Sequence, residues 1–253
     1  MQETPTDIPK KKRGRPRKSE EDTTLREEII LSNALDLFQS QGFQKTSMTQ
    51  IAHAAGMDQS SLYYHFDSKE ALVNRLYNFD HVKDRFARLD KADIDSALKL
   101  YLLIVYDLIS KCDLPFDFFE FEFVATDKPG ALPGLFDAYR VFYHCLINTI
   151  SQGVESKLFF ECDPHMQAVN ILSVNEGLQH HYHAKGRGQL ILETAGYTAK
   201  NLSPEEIGEG SARLVLSKMC VERPDFNDLK ARGHEVALAE ELMRKASYFS
   251  SRS

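Results

Sequence analysis

Along the chain, apolar positions repeat at helical rather than strand spacing. The first clear stripe is Ile30, Ala34, Leu37 and Phe38, at i, i+4, i+7 and i+8, which predicts an amphipathic helix. Thr24 and Glu27 supply a capping box for its start. Two short elements follow within Ser47–Phe66. Ser47 with Gln50 reads as a second capping box, Ile51 and Ala55 give an apolar face, and Gly56 tolerates the positive φ of a stop. Asp58 caps the next helix, roughly Gln59–Phe66, with Leu62 and Phe66 turned to one side. A glycine-bearing turn between two helices, the second with a polar leading edge, predicts a helix-turn-helix.

A further helix starting at Asp67 or Ser68 and reaching about Leu89 carries Leu72, Leu76, Phe79 and Phe86 inward. Beyond it the pattern predicts helices over Ile94–Lys111, Leu135–Leu158, His165–Ala184 (behind Asp163-Pro164) and from Ser203-Pro204 to about Cys220. The stretch 115–126 partly alternates Phe with acids, yet Phe116, Phe119 and Phe123 also fit helical register. A lone strand has no partner in such a chain, so it is assigned as helix. Residues 127–134 form a turn-rich loop, and another amphipathic helix is expected around Leu229–Tyr248.

The residues 30–43, Thr46, 51–57 and 60–72, reading ILSNALDLFQSQGF, T, IAHAAGM and SSLYYHFDSKEAL, resemble the N-terminal domain of the TetR repressor family. The resemblance covers about a fifth of the chain closely, and the remainder matches in helical character and length. It implies an all-α fold, with an N-terminal three-helix helix-turn-helix head and a C-terminal helical ligand-binding and dimerisation domain. The boundaries expected are 1–22 for a disordered basic arm, 23–67 for the head, 68–222 for the regulatory domain (68–90 the connecting helix) and 223–253 for a C-terminal extension. It also implies that the connecting helix transmits between head and ligand domain. The helices at 165–184 and 204–220 would form a dimer interface, with Leu172, Val174, Leu178, Ile207, Leu214 and Val215 as contributors.

Composition refines this picture. Of 253 residues 42% are hydrophobic, enough for packed cores. The net charge of −6 hides an asymmetry, because residues 1–18 carry +5 and the rest −11. A basic arm on an acidic body suits nucleic acid binding. Within KKKRGRPRK, Arg13-Gly14-Arg15-Pro16 is similar to an AT-hook. Gly14 and Pro16 keep the chain slim, so Arg13 and Arg15 can enter a narrow A·T minor groove; the plainer alternative is contact with phosphates alone. Four scattered cysteines, no apolar leader and no membrane-length apolar run predict a cytoplasmic protein, associated with the nucleoid when DNA-bound.

For DNA contact, the resemblance places Gln59 where a base-reading side chain is common, and glutamine can bond adenine N6 and N7 together. Ser60, Ser61 and Tyr64 are further base-edge or thymine-methyl candidates. Thr46, Thr49, Tyr63, His65 and Lys69 are phosphate candidates near helix N-termini, and Ser47 is counted with them beside its capping role. The reading helix carries no Lys or Arg, so the arm is expected to supply electrostatic grip.

Phe119, Phe123, Tyr139, Phe142, Tyr143 and Glu176 are candidates for a small-molecule pocket, with ordinary core packing as the alternative for each. Only Glu176, His180 and His183 of the histidine-rich stretch share a helix face, too few groups for a metal centre without a fourth ligand and a supporting shell. No metal or cofactor is expected. No glycine-rich phosphate loop, nucleophile motif or carboxylate pair points to an enzyme. The expected function is a dimeric, sequence-specific transcriptional regulator on palindromic double-stranded DNA, a repressor released by a small apolar or amphipathic effector. The alternative is an architectural or partner-binding DNA-binding protein without an inducer.

Overall fold

The computed structural model describes residues 20–77, 79–112, 114, 117, 119, 120, 124, 127, 128, 130–183 and 202–236. The basic arm with Arg13 and Arg15, Phe123, most of the phenylalanine-rich stretch, and everything past 236 lie outside the described residues. The described residues are helical, with an isolated bridge between Phe159 and Cys220 and no strand. None of their helices is long and apolar enough to cross a membrane.

The head comprises α1 (Glu20–Gln41), α2 (Met48–Ala54), α3 (Gln59–His65) and α4 (Lys69–Leu76). Of the predicted stripe on α1, Ile30, Ala34 and Phe38 are buried and Leu37 is partly covered. The helix already runs from Glu20, so Thr24 lies inside it rather than at its cap. Glu27 instead faces the head, 4.0 Å from His65 and 3.8 Å from Arg75.

The connecting helix is not continuous, contrary to the single helix predicted to Leu89. α4 stops at Leu76, Tyr77 adopts an extended conformation (φ −117°, ψ 127°), and α5 (Phe79–Asp90) begins anew. The reason lies in the side chains. Tyr77 and Phe79 both enter the head's core, with ring centroids 6.0 Å apart. Residues i and i+2 of a helix point roughly opposite ways, whereas an extended residue brings them to one side.

The C-terminal body is built on α6 (Ser96–Cys112), buried along almost its whole length. α7 (Pro133–Glu155), α8 (Pro164–His183), α9 (Pro204–Met219) and α10 (Phe226–Glu235) pack on it, and α5 lies along α7. Pro133 and Pro204 occupy first helical turns, and Ser203 with Glu206 closes a capping box. The C-terminal amphipathic helix expected from Leu229 begins three residues earlier, at Phe226. Of the expected dimer-interface residues, Leu172 and Ile207 are buried inside the chain, Leu214 is exposed, and Val174, Leu178 and Val215 lie between.

Two hydrophobic cores result. The head core holds the inner faces of α1–α4, and it also takes Leu114, Val124 and Leu132 from the segment between α6 and α7. The second core runs through α5–α10. Tyr139 packs against both.

Candidate nucleic-acid interface and regulatory cavity

α2 and α3 are defined by local hydrogen bonding. The Gln50 amide donates to Ser47 Oγ at 3.2 Å, and the Ser47 amide donates to Gln50 Oε1 at 2.8 Å. Gly56 takes φ +66°, the left-handed turn its position requires. At α3, the Asp58 carboxylate accepts the Ser61 amide at 2.7 Å, the Ser60 hydroxyl at 2.6 Å and the Ser61 hydroxyl at 3.0 Å. These bonds, the Ser60 hydroxyl foremost, pull its pKa down to about 2.

Leu62, at 0% exposure, and Phe66 anchor α3 in the head core. The opposite edge is open: Gln59 and Ser60 are exposed, Tyr63 is 43% exposed and Tyr64 79%. Thr49 on α2 is exposed as well. An edge anchored by apolar residues and open on its polar side can lie in a DNA groove.

Three expected phosphate contacts have other partners. Thr46 is 2% exposed; its hydroxyl donates to the Gly42 carbonyl at 2.8 Å and accepts from Gln41 Nε2 at 3.1 Å, so it fixes the α1–α2 turn. The His65 side chain is 3% exposed, turned toward Glu27 and edge-on to Tyr64. Lys69 Nζ donates to the Phe43 carbonyl at 2.7 Å and sits 4.4 Å from the centre of the Phe43 ring; burial lowers its pKa. Ser60 and Ser61 spend their hydroxyl protons on Asp58 and so face outward as acceptors. Lys45, an exposed cation in the α1–α2 turn, is a phosphate candidate the sequence reading missed. Its signal was only a basic residue next to Thr46.

The predicted pocket residues divide between two spaces. A cavity of about 60 Å³ lies between the two cores, walled by Tyr77 and Phe79 from the joint, Leu114 from the crossing segment, and Phe86, Tyr139 and Phe142 from the body. On the far side of Tyr139 an open groove of about 450 Å³ runs between α7 and α8, with Tyr143, Leu172 and Glu176 in its walls. The Tyr139 hydroxyl donates to Glu176 Oε1 at 2.6 Å. Phe119 stands apart, 40% exposed and edge-on to His180.

A buried polar chain, of which the sequence analysis names only Glu176 as a site candidate, reaches the cavity wall at Asp107 and Lys111. Lys111 Nζ is 3.1 Å from Asp107 Oδ2 and 4.0 Å from Glu176 Oε1. Asn175 Nδ2 donates to Asp107 at 2.7 Å, and the Ser211 hydroxyl donates to Asn175 Oδ1 at 2.8 Å. Glu176 turns to Tyr139 and His180 contacts Asp117, so the face they share with His183 does not converge on one point. Among the described residues no group of three His, Cys, Asp or Glu side chains is placed to hold a metal ion.

Comparison with known proteins agrees with this geometry. Residues 30–76 match the family model for bacterial regulatory proteins of the tetR family. The HTH-type transcriptional repressor KstR2 of Rhodococcus jostii (strain RHA1) is 34% identical over 77 residues, which is 30% of this chain and 38% of that protein. The chain spans less than two thirds of the length of the curated relatives it matches. Among solved structures, the ketosteroid transcriptional regulator KstR2 of Mycobacterium tuberculosis shares the fold with a TM-score of 0.60 at 19% identity, over 78% of this chain and 96% of that one. AibR, solved in complex with isovaleryl coenzyme A and operator DNA, does so with a TM-score of 0.51 at 20% identity, over 76% of this chain and 99% of that one. Residues 30–76 thus carry a helix-turn-helix similar to that of the tetR family of bacterial regulatory proteins, on an all-helical fold shared with these solved structures.

Proposed function

We propose that the chain is a dimeric, sequence-specific DNA-binding repressor of transcription whose hold on a palindromic operator is released by a small apolar or amphipathic molecule. One observation carries the DNA reading: α3 is pinned by fully buried Leu62 while Gln59, Ser60, Tyr63 and Tyr64 stand open along one edge. Gln59 and Tyr64 read base edges, Thr49 and Tyr63 hold phosphates, and Ser47 orders α2 through its cap. Arg13 and Arg15 add grip from the minor groove. One head reads too few base pairs for genomic specificity, so two act together, joined through α8 and α9 with exposed Leu214 at the contact. Such a regulator works in the cytoplasm, where the DNA lies, and performs no catalysis.

Effector release follows from the cavity's position. Its walls come from both cores, so a molecule that fills it spreads Tyr77 and Phe79 from Phe86 and Phe142 and shifts the head relative to the body. The KstR2 relative is described as a repressor, which supports repression, and AibR, solved with isovaleryl coenzyme A and operator DNA, supports a small molecule and DNA as the two kinds of partner.

The test is selection of bound fragments from sheared genomic DNA with the full chain and Gln59→Ala in parallel. A short palindrome that loses preference at one symmetric base pair in the variant is the expected result. Diffuse A·T-rich recovery, unchanged by the substitution, would establish an architectural protein instead.

A further inference from the structure

The geometry points to a two-chamber effector site gated by the Tyr139–Glu176 hydrogen bond, selective for a compact apolar ammonium compound: a primary amine carrying a small hydrocarbon group. This rests on the effector-release reading above and specifies the effector's chemistry.

Tyr139 is the shared wall. It lines both the inner cavity and the outer groove, and its hydroxyl is held by Glu176 at 2.6 Å. The chambers differ in size. The outer groove, at about 450 Å³, lies within the range of small-molecule sites. The inner cavity, at about 60 Å³, accepts a short hydrocarbon tip and no long chain. The polar end of a ligand therefore stays in the groove, and its apolar end passes Tyr139 toward Phe79, Phe86 and Phe142.

Charge decides what that polar end is. Lys111 is paired with Asp107 at 3.1 Å, which leaves Glu176, 4.0 Å from Lys111, as a second carboxylate on one ammonium. At the groove's rim Arg140 is already paired with Asp137 at 2.8 Å. With these groups ionised, the described residues of the site carry one negative charge in excess, centred on Glu176. An ammonium head replaces the Tyr139 hydroxyl as donor to Glu176, supplies the missing positive charge and lies against the Tyr139 and Tyr143 rings. A carboxylate head would meet Glu176 as a like charge. Exchange of the bond to Glu176 removes the 2.6 Å tie on the side chain that forms the wall between the two chambers.

The test uses the full chain and three probes with one hydrocarbon group: hexylammonium, 1-hexanol and hexanoate. Binding is read as the rise in melting temperature over a concentration series, and DNA retention is measured on the same samples. Hexylammonium is expected to bind about tenfold tighter than hexanoate, with hexanol between. Glu176→Gln, close in shape, is expected to bring hexylammonium and hexanol to similar affinity. Ala138→Leu, which narrows the inner cavity, is expected to weaken all three. Equal or tighter binding of hexanoate, a preference that survives Glu176→Gln, or no binding of any probe to the native chain would each overturn the inference. DNA retention that falls with hexylammonium supports both readings. A chain that never retains DNA would defeat the repressor reading while leaving the ranking of probes intact.

Discussion

The carboxylate of Glu120 accepts the backbone N–H of Gln44 at 3.1 Å, tying the segment that follows α6 to the α1–α2 turn of the head. The same carboxylate closes over Gly42, where a Cβ would lie 2.9 Å from Glu120 Oε1. A flexible carboxylate can give way, so the constraint at Gly42 is its φ of +87°.

Gly42→Ala is therefore expected to destabilise the fold by about 1–2 kcal/mol, the cost of a left-handed conformation for an L-residue. Urea unfolding at neutral pH measures it. Asn, which tolerates this region, should recover part of the loss, and equal losses for Ala and Asn would assign the effect to crowding by Glu120 instead.

Gly153 meets a harder limit. A Cβ there would lie 2.1 Å and 2.3 Å from ring atoms of Phe159, which is itself buried. Gly153→Ala improves helix propensity in α7, but overpacking outweighs it, and a net loss of about 1–3 kcal/mol is expected. Thermal unfolding of the single variant and of Gly153→Ala combined with Phe159→Leu gives the check. Relief in the double variant is the expected sign, and additive losses would contradict the clash.

On α3, stability and recognition separate by face. Leu62→Ala should cost about 2–5 kcal/mol because it empties a fully buried position. Tyr64→Ala and Gln59→Ala should leave stability within about 0.5 kcal/mol. Both should weaken operator binding, and Gln59→Ala should remove about 1–3 kcal/mol of discrimination at one symmetric base pair. Parallel melting and operator titrations make the comparison; a Tyr64→Ala variant that melts early but binds normally would reverse the assignment.

The α3 cap also has a pH signature. Asp58 titrates near 2 in the folded chain, below its ordinary value of 3.8. A carboxylate whose folded pKa is depressed contributes above the unfolded value and loses that contribution as pH falls through the folded one. The cap is thus intact above about pH 4 and released toward pH 2. The Ser61 amide resonance should titrate with the Asp58 carboxyl in that window, and Asp58→Asn should abolish the titration. A Ser61 midpoint near 4 would show that the three hydrogen bonds do not hold in solution.

The parts of the fold open to sequence reading were those written in local chemistry. Ser47–Gln50, Gly56, Asp58 and Ser203-Pro204 each satisfy a terminus or turn within a few residues, and the chain shows them where expected. The break at Tyr77 was not readable, because Leu72, Leu76, Phe79 and Phe86 suit one continuous helix; only the pull of Tyr77 and Phe79 into the same core interrupts it. Thr46 and Lys69 occupy positions where a phosphate contact is reasonable, yet their partners are the carbonyls of Gly42 and Phe43, set by how the turn folds. Among the pocket candidates, Tyr139 and Phe142 do face the cavity. The polar chain that links Asp107 and Lys111 to Ser211 escaped notice because its members come from three helices up to 104 residues apart.

Leu114, Val124 and Leu132 complete the head's core from far along the chain, so the head is not an excisable module. A fragment ending at Leu76 would lack these side chains and the Tyr77 and Phe79 rings, and its core would stand open on the side facing the body. A protease that cuts at the joint would leave both pieces clasped. Transplanting this head onto another protein would require carrying residues 114–132 with it.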